Sequence, residues 1–191
     1  MKTLLKWLAA LVVGVALGAG SLWYMVFKAN PAPMITVGIW HMNPLAGSAA
    51  SDPYSRLYIA ITSILALNKS ETIYFEAKTD NEGGRLSSAC DYTLTGPPPA
   101  ARWWSVTAYG DNDMLIPTES ARYSASAAGA TTNADGNVEI ALTPAGDGPN
   151  GIATGNGNFT LLLRLYQPAE DVAAAPETAP LFTLKKGACR A

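Results

Sequence analysis

From Glu71 onward, apolar and polar positions alternate in short runs. In ETIYFEAK, Ile73, Phe75 and Ala77 alternate with Thr72, Tyr74, Glu76 and Lys78, the period of a half-buried strand. CDYTLTG, ARWWSVTAY, ARYSASA, NVEIALT, FTLLLRLYQ and LFTLKK repeat the pattern between Gly- and Pro-rich connections. The Asp135-Gly136 pair predicts a hairpin-type connection between ARYSASA and NVEIALT. The stretch from Pro144 to Asn158 holds five glycines and reads as a long loop. Ahead of these runs, ITVGIW predicts one short strand, and SDPYSRLYIAITSILALN changes to a helical period. Asp52 suits its N-cap, Pro53 its first position and Asn68 its stop, with Tyr54, Leu57, Tyr58, Ile61 and Leu65 as a buried stripe. Seven or eight strands with one helix in front predict a mainly β antiparallel sandwich or jelly-roll-like domain.

The first 28 residues follow a different pattern. Lys2 and Lys6 precede an uncharged stretch from Trp7 to Phe27, which as a helix spans ~31 Å, the thickness of a hydrocarbon core. Trp7 at one end, with Trp23 and Tyr24 near the other, suit the two interfaces. The basic start predicts a cytoplasmic N-terminus and an exported remainder, so residues 7–27 are expected to cross a bacterial inner membrane once. A cleavable signal peptide with a small-residue site near Gly18 to Ser21 is the rival reading. The expected organisation is an anchor over 1–28, a Pro-containing juxtamembrane linker over 29–36 and a periplasmic β-sandwich over 37–191.

Strand period also decides what the adjacent tryptophans of ARWWSVTAY can do. Neighbours on a strand face opposite ways, so Trp103 and Trp104 cannot form one platform. Arg102, Trp104, Val106 and Ala108 share the more apolar, inward face; Trp103, Ser105, Thr107 and Tyr109 share the other. In FTLLLRLYQ, Phe159, Leu161, Leu163 and Leu165 point inward, and Thr160, Leu162, Arg164 and Tyr166 point outward. With the two strands in one sheet, Trp103, Tyr109, Arg164 and Tyr166 form a patch suited to a ring or an acidic group. Cross-strand aromatic packing with a cation–π contact, beneath the long loop or the helix, is the structural reading of the same four residues.

Charge and composition narrow the function classes. Taking Lys2, Lys6 and Lys28 from the 13 basic residues leaves 10 against 15 acidic ones, a charge of −5 without a basic run. That balance argues against nucleic acid as a partner. Cys90 and Cys189 lack metal-ligand spacing; in an oxidising compartment they are read as one disulfide, the other reading being two buried thiols. There is no GxSxG, HExxH, P-loop or dinucleotide fingerprint, and no cofactor or metal is expected. His41, the one histidine, is a candidate general base or an incidental loop residue. Asp111, Asn112 and Asp113 lack EF-hand spacing and read as a solvated turn, while Asp147, Asn150, Asn156 and Asn158 offer one irregular set of cation ligands. Asn68-Lys-Ser and Asn158-Phe-Thr fit a glycosylation pattern that matters only in a eukaryotic secretory route.

GIWHMNPLAGSAASDPYSRLYIA, LNKSETIYFEAKTDNEGGRLSSACDY, PPPAARWWSVTAYGDNDMLIP and FTLLLRLYQP, ending KKGACR, resemble the bacterial proteins called domain of unknown function 1214, from Val37 to Arg190. RWWSVTAY and LLRLYQP are the most specific pieces. The resemblance implies an antiparallel β-sandwich in a small envelope protein, following one membrane segment, and it lends no established reaction. By resemblance Arg56, Arg102, Trp103, Tyr109, Arg164, Tyr166 and the Cys90/Cys189 pair occupy family positions. Relatives often carry an Asn-Trp pair before the last long strand, where this chain has Asn150-Gly151. Three functions follow as expectations. The first is an envelope module binding a small ring-bearing or acidic ligand, or an envelope protein. The second is a hydrolase or lyase using carboxylates such as Glu76, Asp91 or Asp111 in a pocket. The third is a purely structural domain.

Overall fold

The computed structural model describes residues 2–29, 34–61, 67–118 and 122–190. Helix α1 (Lys2–Tyr24) runs into one π-helical turn, Met25–Ala29. Strands β1 (Ile35–Val37) and β2 (Trp40–Met42) precede helix α2 (Pro53–Ile61). Then come β3 (Thr72–Ala77), β4 (Cys90–Gly96), β5 (Ala101–Gly110), β6 (Ser124–Ser126), β7 (Val138–Thr143), β8 (Ile152–Ala153) and β9 (Phe159–Pro168). Helix α3 (Glu170–Ala174) and a 3-10 turn (Pro176–Thr178) lead to β10 (Thr183–Cys189). A six-stranded sheet has the order β1-β2-β3-β9-β5-β6, and a four-stranded sheet the order β10-β4-β7-β8. All pairs are antiparallel except β7 with β8, so the smaller sheet is mixed.

The alternation read from the sequence defines the core between the sheets. Ile73, Phe75 and Ala77 of β3, Trp104, Val106 and Ala108 of β5, and Phe159, Leu161, Leu163 and Leu165 of β9 are all buried in it. Leu94, Ile140, Leu142 and Leu184 face them from the smaller sheet. Each fully buried aliphatic or phenyl side chain contributes about 1.5–3 kcal/mol relative to exposure. Phe182 joins the layers directly: its carbonyl accepts a hydrogen bond from Trp40 Nε1 at 2.7 Å, and its ring stands edge-on to Trp104 at 5.3 Å between centroids.

Three local expectations need correction. ITVGIW is a hairpin rather than one strand, because Gly38 takes φ +60 in a two-residue turn that pairs Val37 with Trp40. The Asp135-Gly136 turn is present, with Asn133 Oδ1 accepting the Asp135 and Asn137 N–H groups at 3.0 Å. It does not pair the flanking strands, since β6 and β7 belong to different sheets. On α2 the cap is as expected, Asp52 Oδ1 accepting Tyr54 N–H at 2.9 Å and Ser55 N–H at 3.1 Å. The stripe is not. Tyr54, Leu57 and Tyr58 are half-buried, Ile61 is 49% exposed, and only Ser55 is fully buried. The two sheets already close the core, so α2 rests outside it; Leu65 lies outside the described residues.

α1 has no buried residue: its Leu, Val and Trp side chains are exposed from end to end. It is the chain's one helix, among the described residues, long and apolar enough to cross a membrane; a signal sequence has the same properties.

Two cross-links tie the ends of the domain together. The Cys90–Cys189 disulfide joins β4 to β10 across 99 residues of sequence. Asp80, buried just after β3, accepts Lys186 Nζ of β10 at 2.9 Å and the backbone N–H groups of Gly84 at 2.8 Å and Glu82 at 3.0 Å. The hydrogen bond from Lys186, aided by the two amides and opposed by burial, holds the Asp80 carboxyl below the usual aspartate value. Closing a loop of this length corresponds to ~4–5 kcal/mol in the chain-entropy treatment. Replacing both cysteines by Ala is therefore expected to lower Tm by on the order of 10 °C, read by circular dichroism. Asp80→Ala is expected to lower Tm at neutral pH by roughly 5 °C. A depressed folded pKa stabilises above the unfolded aspartate value of about 3.9 and is lost as pH falls through the folded value. The variant should therefore lose less stability than the parent across that acid window.

Candidate functional site

The outward face of the six-stranded sheet is ordered by β9, which lies between β3 and β5. Cross-strand register sets its residues in rows: Thr72, Tyr166 and Trp103; then Tyr74, Arg164 and Ser105; then Glu76, Leu162 and Thr107. His41 extends the third row, opposite Glu76 on β2. The four residues expected to form a patch do share this face. Trp103 and Tyr166 are direct cross-strand partners, with ring centroids 5.1 Å apart and planes inclined at 60°. Arg164 Nη2 donates to Tyr109 Oη at 2.8 Å, Nη1 lies 3.5 Å from Thr107 Oγ1, and the guanidinium carbon is 5.6 Å from the Tyr109 ring centre. The cross-strand aromatic packing and the cation–π contact of the structural reading are both present.

Two features give this face more than ordinary sheet packing. Arg164 is half-buried, and among the described residues its side-chain contacts are a phenol and a hydroxyl rather than a carboxylate. Thr72, Ser105, Thr107, Thr160 and Leu162 are buried although they point away from the inter-sheet core. Leu67 N–H donates to Tyr74 Oη at 3.1 Å, and the turn after α1, with Val26 buried, contacts α2. Thr72, beside Tyr166, is 2% exposed and its Oγ1 has no hydrogen-bond partner.

At the margin of the face, Lys78 Nζ meets Glu76 Oε1 at 2.9 Å. Burial disfavours the ammonium, yet the charge and hydrogen bond of Glu76, with the Tyr58 oxygen behind them, raise the Lys78 pKa. His41 Nδ1 lies 2.9 Å from Thr36 Oγ1. Thr72, Tyr74 and Glu76 were legible as outward residues of β3; their place beside Arg164 depends on a strand pairing that spacing does not reveal.

The remaining expected residues lie elsewhere. Arg56 donates to the carbonyls of Ser51 at 2.9 Å and Ala49 at 2.6 Å, fastening the loop before α2. Arg102 is exposed on the opposite side from Trp103 and donates to Gln167 Oε1 at 2.9 Å. The three carboxylates do not converge: Glu76 pairs with Lys78, Asp91 with Arg190 and Asp111 with Arg85. Asn150 staples its loop, its Nδ2 donating to Glu139 O at 2.7 Å and Thr131 O at 3.0 Å. A Cβ at Gly151 would lie 2.0 Å from the Gly146 carbonyl, so an indole there requires a different loop. Among the described residues no group of three or more His, Cys, Asp or Glu side chains is placed to hold a metal.

Fold and face together define a two-sheet β-sandwich that presents an aromatic and guanidinium-bearing outer surface, preceded by one apolar helix. The family described as "Protein of unknown function (DUF1214)" matches residues 71–170, and the chain belongs to it. Among solved structures, the VPA0106 protein from Vibrio parahaemolyticus superposes with a TM-score of 0.62 at 21% identity, over 94% of this chain and 45% of that one. A putative uncharacterized protein from Burkholderia cenocepacia gives 0.45 at 14% identity, over 89% of this chain and 39% of that one. The chain thus spans less than half the length of either, and the Vibrio likeness shows the fold alone. No curated protein matches.

Proposed function

We propose that this chain is a binding module of the bacterial envelope, held in the inner membrane through residues 7–27 with its N-terminus in the cytoplasm and its sandwich in the periplasm. The ligand is a small molecule carrying an aromatic ring and an acidic group. The observation that carries this reading is Arg164: a half-buried guanidinium whose contacts are a phenol and a hydroxyl, beside the Trp103/Tyr166 pair. A cation in that setting attracts an anion that brings its own hydrogen-bond acceptors, and the indole and phenol offer ring contact next to it. The Cys90–Cys189 bond supports an oxidising compartment, and the bare apolar surface of α1 suits lipid. An envelope protein presenting the same groups is the second reading, favoured by the Vibrio structure, which carries this fold in a chain more than twice the length aligned.

The full chain in detergent micelles is expected to gain thermal stability from benzoate-type aromatic carboxylates and not from benzamide. Arg164→Ala should weaken that binding about ten- to a hundredfold, and Trp103→Ala about tenfold. Carboxylates that give no shift, or a shift unchanged in Arg164→Ala, would sink the reading. The anchor is tested by the mass of the mature chain in membrane and soluble fractions. An intact N-terminus released only by detergent is expected; a soluble product lacking about the first 20 residues would show cleavage instead.

A further inference from the structure

Helix α2 is apolar on both of its sides, although it rests outside the core. Toward the domain it turns Ser55, fully buried, with Tyr58 and Ile59 half-buried. The opposite side carries Pro53, Leu57, Ala60 and Ile61, at i, i+4, i+7 and i+8, which the helical period places on one face. Pro53, Ala60 and Ile61 are exposed, Ile61 to 49%, and Leu57 is half-buried. Arg56, beside this face, is the one charged residue from Pro53 to Ile61, and its guanidinium is turned back to the carbonyls of Ser51 and Ala49. A surface helix normally presents charged and polar side chains to water, and one that is apolar all round is normally covered all round. Scattered exposed apolar residues need no explanation, but an ordered face of them does.

The neighbour of α2 indicates what covers that face. Its most extensive contact with another helix or strand, among the described residues, is with the turn Met25–Ala29. Met25, Val26 and Phe27 of this turn belong to the uncharged stretch Trp7–Phe27, and Val26 is 3% exposed. α2 thus touches the last turn of the crossing segment instead of hanging from it on a free spacer. Trp23, Tyr24 and Phe27 are 55%, 58% and 54% exposed there, and Lys28 Nζ lies 5.9 Å from the centre of the Trp23 ring. Aromatic rings and a lysine at one end of an apolar helix mark the level of the lipid headgroups. A helix held at that level with an apolar side outward meets lipid before it meets water.

We propose that α2 is a second membrane contact, an interfacial helix lying on the periplasmic surface of the inner membrane. Pro53, Leu57, Ala60 and Ile61 face the boundary between headgroups and acyl chains, where such helices enter by about 5–10 Å. No carboxylate from Pro53 to Ile61 opposes this placement. The proposal rests on the reading of residues 7–27 as an anchor and is independent of the Arg164 face.

The test uses the full chain in vesicles of phosphatidylethanolamine and phosphatidylglycerol, with the native disulfide kept oxidised. Nitroxide labels are placed singly through Ala60→Cys, Ile61→Cys, Trp23→Cys and Glu82→Cys, the last at a side chain 80% exposed on the domain. Power saturation then compares collision with oxygen, which concentrates in lipid, and with a water-soluble nickel chelate. Labels at 60 and 61 are expected to favour oxygen, as the label at 23 does, while the label at 82 favours nickel. Adding Ile61→Asp should move the label at 60 toward nickel and leave the label at 23 unchanged. A label at 23 that favours nickel would remove the anchor reading, and this proposal with it. Lipid exposure at 23 with nickel access at 60 and 61 would overturn the α2 proposal alone. Low access to both reagents at 60 and 61 would also overturn it, showing a protein partner or a second copy over that face.

Discussion

Strand β9 is the constraint on which the rest of the structure depends. In the six-stranded sheet it is, among the described residues, the one strand paired over six or more positions on each side, and its side chains must alternate. Once Phe159, Leu161, Leu163 and Leu165 are committed to the inter-sheet core, Arg164 and Tyr166 have no choice but the other face. β3 and β5 then deliver their own outward residues to either side at fixed spacing. A slip of one residue in β9 would exchange leucines for an arginine in the core, a cost no loop rearrangement could offset. The geometry of the outer face is thus enforced by the burial of the inner one.

Much of this architecture was legible in the sequence because strand period is local. The inward and outward sets of β3, β5 and β9 follow from alternation alone, and the Cys90–Cys189 bond was one of two readings that an even cysteine count allowed. What was not legible depends on which strands become neighbours. Nothing in the spacing of ETIYFEAK says that Tyr74 will lie beside Arg164, or that β6 and β7 will part to different sheets. The α2 stripe misled for a related reason: a helical apolar period predicts burial only when a core is still open to receive it. Here the turn after α1 contacts α2. The unpartnered hydroxyl of Thr72 belongs to a third kind of information, one set by neighbours in three dimensions, which no one-dimensional pattern encodes.

The four strands at the sheet margins carry one further consequence. β1 and β6 have three residues each and β8 has two, too short to template another chain; β10, with seven, is the long one. That strand carries Lys185 and Lys186, and its register with β4 breaks between Lys186 and Cys189. Positive charge and a bulge are the devices by which natural sheets refuse an incoming strand. The lysine that holds Asp80 thus also guards the open margin of the smaller sheet, and its loss would expose the protein to edge-to-edge aggregation as well as to unfolding.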